Sequence, residues 1–570
     1  MTRAHRIAVA RGDIPADLIL RGGQLVNVLA GEIHTTDIVI ADGHVVALES
    51  GYAGHEVIDL AGRFVCPGFI DAHVHIESSL CSPPEYARAV LRGGVTTAVT
   101  DPHEIANVLG LDGIRYMLDK GRESMIDLFV MASSCVPATH METSGARLEA
   151  DALASLLSDP AVIGLAEMMN YPGVIHGDPS VLDKLAAFAG FPLDGHAPAV
   201  TGKPLNAYIA AGIMSDHECT TVAEAREKLR LGLTIFIRQG TTTQNLLALL
   251  PLVTPGNQHR FCFCTDDRQP HSLLLEGSID HMVRLAIAAG ADPLMVIRMA
   301  TINSADYFRL HDRGAVAPGR RADLVVCDDL HDLRAAMVFR AGTLVARAGV
   351  VIAAEVPGVP IALRPTMHVG SAPLDLRIAA SSGKSRVRVI VGSDTQVVTG
   401  HTTAEATIVA GEARTDPARD LLKMAVIERH YGSGGIGLGF ISGFGLQHGA
   451  IAGSVAHDHH NIVVIGADDD SMRRAVADVI EMGGGLSVAD GDRIMARLPL
   501  SIAGLMSEAP IESVRAGYDA LIAAANALGS TMHDPFMAMS FMALEVIPSL
   551  KLTDVGLVDV ERFEVVDLFV

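Results

Sequence analysis

What this chain has little of removes several classes of protein. No run of ~20 apolar residues free of charge occurs, so no membrane span is expected. No long apolar stretch follows Met1-Thr2-Arg3-Ala4-His5-Arg6, so no signal peptide is expected. Cysteine is sparse, seven in 570 residues, with no Cys-x-x-Cys, and Cys262-Phe263-Cys264 is too close for an ordinary bridge. The cysteines therefore read as small buried hydrophobes in a reducing, cytoplasmic compartment. Positive charge is also short: 44 Lys and Arg against 66 Asp and Glu leave a net charge of −22. That balance argues against nucleic acid and against an anionic membrane surface.

What is present is a composition 49% hydrophobic with 55 glycines, typical of a compact α/β enzyme. The length exceeds one ordinary core, so two or three domains are expected. Residues 1 to about 15 read as a short basic arm or helix. Short alternating strands then run from Ala16 to Leu60, with hairpin signals at Gly22-Gly23 and Asp42-Gly43, giving a small antiparallel unit. Ala322-Asp323-Leu324-Val325-Val326 echoes Ala16-Asp17-Leu18-Ile19-Leu20 much later. The echo suggests one β-sandwich split by an insertion; two unrelated β segments are the alternative. Between them, strands apolar on both faces alternate with amphipathic helices, and the strand count approaches eight. A (β/α)8 barrel fits, with catalytic groups at the C-terminal ends of its strands. The expected architecture is thus a (β/α)8 metal-dependent hydrolase barrel (67–312) inserted in a small β-sandwich (1–66 and 313–355). A C-terminal α+β domain (356–570) follows a linker marked by Pro357, Pro360 and Pro365.

The chemistry begins at Phe69-Ile70-Asp71-Ala72-His73-Val74-His75-Ile76-Glu77. Side chains alternate along a strand, so His73 and His75 share one face, and Glu77 follows at the same parity. The same test at later strand ends finds Glu167, His196, His217 and Asp266 in barrel order. A lone histidine in a chain with 24 is more often structural than a ligand. The ordered set is far more specific, and its imidazole and carboxylate donors suit Zn, Fe or Mn. Six ligands suffice for two ions if Glu167 bridges. Such a pair makes hydroxide available near neutral pH, and Asp266 is placed to accept and return its proton.

These strand ends resemble the amidohydrolase superfamily. Within it the wording resembles the prokaryotic-type adenine deaminases, in Pro67–Ser79, Asp101–Val108, Ala166–Gly173, Asp194-Gly195-His196-Ala197-Pro198, Ser215–Thr220 and Cys264-Thr265-Asp266-Asp267-Arg268. In the C-terminal domain Gly453–Asn461 also resembles that family. One departure is Ala199-Val200-Thr201, where the pattern leads us to expect a glycine. The resemblance implies deamination of adenine to hypoxanthine and ammonia in purine salvage. It implies a metal-bound hydroxide, with manganese or iron ranked ahead of zinc at a two-metal centre. The expected ligands are His73, His75, Glu167, His196, His217 and Asp266. Asp266 is the expected proton shuttle, with Glu77, His103 and Glu218 as further catalytic candidates. Glu77, His103, Asp267 and Arg268 are the candidates for substrate contact. For Glu77, Glu218, Asp267 and Arg268 the alternative is support behind the ligands, and for His103 a ring that only packs at a helix start. A purine base is the expected partner, and a homodimer or larger assembly the expected state.

His457-Asp458-His459-His460 reads either as a metal cluster or as a loop packed on the barrel mouth; the loop is preferred. Gly432-Ser433-Gly434-Gly435 lacks the Gly-Lys-Ser/Thr ending of a phosphate loop. His75-Ile76-Glu77 imitates half of the zinc nucleobase-deaminase motif, but Pro-Cys-x-x-Cys is absent. A cyclic-amide hydrolase would carry a lysine on strand four, where this chain has Glu167. A non-catalytic scaffold would be expected to have lost ligands, and all six are present.

Overall fold

The computed structural model describes residues 3–352, 358–370, 372–380, 384–393 and 397–570. The expected linker start at Val356 and Pro357 lies outside the described residues. A helix at Arg3–Ala10 occupies the expected N-terminal arm.

The first strand spans Ala16–Asn27 without a break. Gly22-Gly23 is therefore not a hairpin. The register with Glu32–Ala41 shifts between Leu20 and Gly23, and Gly22 takes φ +66°. The glycines make a bulge, the other use of a left-handed residue in a sheet. Gly23 also allows close packing, since a Cβ there would lie 2.7 Å from Leu60 Cδ1. Asp42-Gly43 does turn an antiparallel pair, Glu32–Ala41 with His44–Ala47. The unit is mixed rather than antiparallel, because Gly54–Asp59 and Phe64–Pro67 both run parallel to the first strand.

Phe64–Pro67 then pairs with Leu324–Cys327, Val325 opposite Cys66. The early and late β segments therefore lie in one nine-stranded sheet, and about 250 residues leave and return at this junction. Gly68 is the exit. Its N–H donates to Asp323 O, and any Cβ would collide with Thr96 Oγ1 at 2.3 Å.

The excursion is built of parallel strands. Leu193–Gly195, Val162–Met168, Asp127–Ala132, Val95–Thr100 and Phe69–His75 lie side by side, and Ser215–Asp216, Thr234–Arg238 and Phe261–Cys264 form a second group. Two seams join them into a barrel. Met214 N–H donates to Leu193 O. On the other side, Asp266 and Asp267 continue strand eight and pair in parallel with Val74 and His75. Helices including Pro83–Leu91 and Leu111–Arg122 fall where the amphipathic pattern puts them. Ile70, Ala72, Val99, Met131, Ala166, Phe236, Cys262 and Cys264 fill the interior.

This interior list carries a consequence for the site. Ile70 and Ala72 point inward, so strict alternation would turn His73 and His75 outward. The register between strands one and two shifts between Asp71 and Val74. That irregularity reverses the parity, so Val74 joins the outer core and both histidines face the mouth.

The C-terminal region holds an eight-stranded sheet with the helices Asp469–Glu481 and Ile511–Ala527. Its antiparallel strands Ala450–Gly453 and Ile462–Gly466 are joined by the loop that carries His457 to His460. All seven cysteines are buried and free. Among the described residues no helix is long and apolar enough to cross a membrane.

Candidate metal centre

The six expected ligands converge. His73 Nε2 and His75 Nε2 lie 3.2 Å apart. Glu167 spans the centre: Oε1 is 3.2 Å from His75 Nε2, and Oε2 is 2.6 Å from His196 Nδ1 and 3.1 Å from His217 Nε2. Asp266 Oδ1 is 3.1 Å from His75 Nε2 and 3.6 Å from His73 Nε2. Glu167 sits within strand four, not after it.

The orientation of His75 shows how cations fit. Its Nδ1–H donates to Asp101 O at 3.0 Å, which turns Nε2 to the centre. Nε2 faces two carboxylate oxygens at 3.1 and 3.2 Å. A buried cluster of this kind needs positive charge among its oxygens, and a divalent ion held by the nitrogen and both carboxylates supplies it. Glu167's two oxygens face different histidine pairs, as a bridging carboxylate would. The donor set fits two divalent ions.

The backbone around the ligands is tied down. Asp71 accepts from Thr265 N–H at 3.0 Å and from Thr265 Oγ1 at 2.5 Å, locking strand one to the end of strand eight. Asp266 then takes φ +57°. This left-handed turn is costly for a non-glycine residue, though less so for Asp, and it lies at the bottom of the cavity. Burial pushes the Asp266 carboxyl up, but the Arg238 guanidinium and the two histidines hold it well below the usual range. Burial likewise opposes ionisation of Glu167, and His217 and His196 overcome it. The neighbouring Asp267 goes the other way: burial, then the charge of Asp266, raise it. Two adjacent carboxyls are thus pushed apart, one held ionised and one inclined to keep its proton.

Arg238 lies outside the expected set. It ends strand seven and donates to Asp266 Oδ2 at 2.8 Å and to Glu218 Oε2 at 3.2 Å. A charged residue ending an apolar strand, the signal that found the other ligands, also marks Arg238. Glu218 lies 3.6 Å from His217 Nε2. Asp101, ending strand two, accepts from Ser133 Oγ and His103 Nδ1.

The cavity over these groups is lined by His75, His103, Glu104, Asp267 and Glu218, and by Phe541, Leu544, Ile547, His457 and Asp458 from the C-terminal region. The loop at His457–His460 thus packs on the barrel mouth, as expected, and also supplies pocket wall. Two substrate candidates lie elsewhere. Arg268 donates to Gly277 O at 2.7 Å and Gln239 O at 2.9 Å and pairs with Glu276, which turns it away from the cavity. A long cation beside a ligand has backbone carbonyls to satisfy first. Glu77 accepts from Ile105 N–H at 3.2 Å and lies behind the cavity wall; it is drawn there by the start of the His103–Leu109 helix.

A parallel barrel with histidine and carboxylate ligands on its strand ends defines a metal-dependent hydrolase of the amidohydrolase class. Residues 64–354 match the amidohydrolase family, and residues 396–564 match the adenine deaminase C-terminal domain. Proteins named adenine deaminase are similar over almost the whole chain. That of Desulfatibacillum aliphaticivorans is 51% identical over 565 residues, 99% of each chain. That of Cereibacter sphaeroides strain KD131 is 47% identical over 97% of this chain and 98% of its own, and adenine deaminase 2 of Carboxydothermus hydrogenoformans is 47% identical over 98% of each. The chain belongs to the adenine deaminase family.

Proposed function

We propose that the chain hydrolyses adenine to hypoxanthine and ammonia. The observation that carries this reading is Glu167, whose two oxygens divide His73 and His75 from His196 and His217 while Asp266 stands beside them at the cavity floor. When bound, two divalent ions would supply an acidified water near neutral pH; the family resemblance is the ground for ranking manganese or iron ahead of zinc. His73, His75, Glu167, His196, His217 and Asp266 would hold them. The water adds to purine C6, and the amino group leaves with a proton. Asp266, held ionised by Arg238, takes the water's proton and hands it to the departing nitrogen. Glu218 shares Arg238 with Asp266 and keeps the guanidinium aimed. Asp267, fixed by Ser78 Oγ–H, presents a carboxyl able to donate to a ring nitrogen. Phe541, Leu544 and Ile547 supply apolar wall for the base.

The nine-stranded sheet serves in this reading as the sandwich interrupted by the barrel, with domain limits at 66, 312 and 355. A cytoplasmic homo-oligomer taking part in purine salvage completes the proposal. Ammonia release from the manganese-loaded chain tests the function, with adenine set beside adenosine, guanine and a hydantoin. Adenine is expected to be the preferred substrate. No ammonia from adenine at full metal loading sinks the reading.

A further inference from the structure

A second cluster of imidazoles and carboxylates lies where the C-terminal region meets the barrel. Its members are His103 and Glu104, at the start of the helix after strand two, and His457 and Asp458, from the loop between two C-terminal strands. All four are buried, and one ligand atom from each lies within 4.8 Å of the others. This is the spacing of donors around a single ion, so the hydrogen positions decide what it means.

His103 is fixed as His75 is. Its Nδ1–H donates to Asp101 Oδ2 at 3.1 Å, and Asp101 is further held by Ser133. Nε2 is the nitrogen left for the seam, and it faces Glu104 Oε1 at 3.2 Å and Asp458 Oδ1 at 3.6 Å. Glu104 is oriented from behind. His460 Nδ1 accepts from Ala456 N–H at 3.1 Å, so its Nε2–H donates to Glu104 Oε2. That leaves Glu104 Oε1 buried with no hydrogen bond from any described residue, 2.7 Å from His457 Nδ1. The His457 ring is held flat against Phe541, centroids 4.6 Å apart and planes 12° from parallel. Asp458 Oδ2 is also buried without a hydrogen bond. Four of the separations among these donors run from 2.7 to 3.8 Å. Four ligands at ~2.1 Å from a tetrahedral ion stand ~3.4 Å apart. The separations at the strand-end centre are of the same size.

We propose that His103, Glu104, His457 and Asp458 bind a further divalent cation, distinct from the strand-end pair, that clamps the C-terminal region onto the barrel mouth. Two imidazoles and two carboxylates select a borderline ion, zinc, iron(II) or manganese, over calcium or magnesium. His460 is a positioning residue that orients Glu104. The inference rests on the donor geometry of the seam and not on the adenine reading.

Crystals of the full chain grown from manganese-supplemented protein, with anomalous data on both sides of the manganese edge, test it. We expect a peak bounded by the four residues, in addition to those among His73, His75, Glu167, His196, His217 and Asp266. In solution, Asp458→Asn and His457→Gln are each expected to lose about one equivalent of metal per chain while about two remain. Absence of the seam peak overturns the clamp, whether a proton, a water or a base fills the place. Loss of metal in both variants from the strand-end positions instead also overturns it. Missing strand-end peaks would count against the two-metal reading alone, because the positions are resolved separately.

Discussion

The strand-end centre and the seam cluster use one device at two places. In each, a histidine spends one ring nitrogen on an oxygen acceptor, His75 on Asp101 O and His103 on Asp101 Oδ2, and turns the other toward carboxylates. They differ in what holds the donors. The strand-end ligands all come from strands or the residues just after them, locked by Asp71 to Thr265 and by the pairing of Asp266 with Val74. The seam cluster takes half its donors from a loop some 350 positions away in sequence, and its geometry exists only while the C-terminal region is docked. The first is a property of the barrel sheet. The second is a property of an interface, and perturbations should separate them.

The largest effect is expected at Asp266. Asp266→Asn removes the proton carrier and one of the two carboxylates on Arg238, and turnover of adenine should fall about 10³- to 10⁴-fold. Steady-state ammonia release checks it. A loss of the same size in Asp458→Asn would break the comparison, because the seam would then be carrying the chemistry.

Arg238→Met comes next. Two buried carboxylates, Glu218 and Asp266, lose their shared cation, and leaving buried charge unpaired costs about 3–5 kcal/mol. Denaturant unfolding should show this. Asp266 should also become easier to protonate, so the acid limb of the activity profile should move to higher pH. An unmoved limb with full stability would show that the carboxylates are held by something other than Arg238.

The seam should respond to pH in its own way. Glu142 on a barrel loop and Glu545 in the C-terminal region are both buried; burial lifts Glu545 to about 7 against hydrogen bonds from Thr139 and Glu142, and burial, then the charge of Glu545, raise Glu142 well above the ordinary value. Both carboxyls bind protons more tightly folded than unfolded. Their contribution to stability is therefore complete below an unfolded value near 4.5 and is lost as pH rises toward 7. Lys551, pushed down to about 7 by burial, acts in the opposite sense and only above that window. Melting temperature followed from pH 4.5 to 7 should fall in the wild type and fall less in Glu545→Gln. An identical slope in the variant would remove the seam acids from the account.

How far each region could be read from the sequence follows from the same contrast. Strand ends announce themselves locally, as an apolar run that stops at a charged or imidazole side chain, and the candidate ligands His73, His75, His196, His217 and Asp266 are legible in that way. Their inward direction could not be deduced from alternation, which the register shift at Asp71–Val74 reverses. Arg238 carries the same local signal, but a cation at a strand end does not suggest a metal ligand. The seam leaves only fragments of a signal, the run His457–His460 and the lone His103, each of which reads equally as packing. That Glu104 meets His457 and His460 depends on where one loop of a distant sheet lands, and no periodicity encodes that. Gly22-Gly23 failed for a third reason, because a bulge and a hairpin ask for the same glycines.

The smallest effect tests the rigidity ascribed to the strand-end region. Ala199, three residues beyond His196, adopts φ +58°, at the place where the family pattern led us to expect glycine. The left-handed conformation costs a residue with a Cβ about 1–2 kcal/mol, and glycine occupies it freely. The side chain is exposed, so little packing is lost by removing its methyl group, and the bond from Ala199 N–H to Glu224 Oε1 at 2.9 Å belongs to the backbone. Against this gain stands the greater freedom of glycine in the unfolded chain, about 0.4–1 kcal/mol. Ala199→Gly should therefore stabilise the chain by a net of about 0.5 kcal/mol, read as a small rise in melting temperature. Metal content should be unchanged, because His196 is placed by strand five and by Tyr208 Oη, which accepts its backbone N–H at 2.9 Å, and not by the turn that follows. If the substitution loosened metal instead, the ligand would owe its position to the loop, and the strand-end centre would be built more like the seam than its sheet suggests.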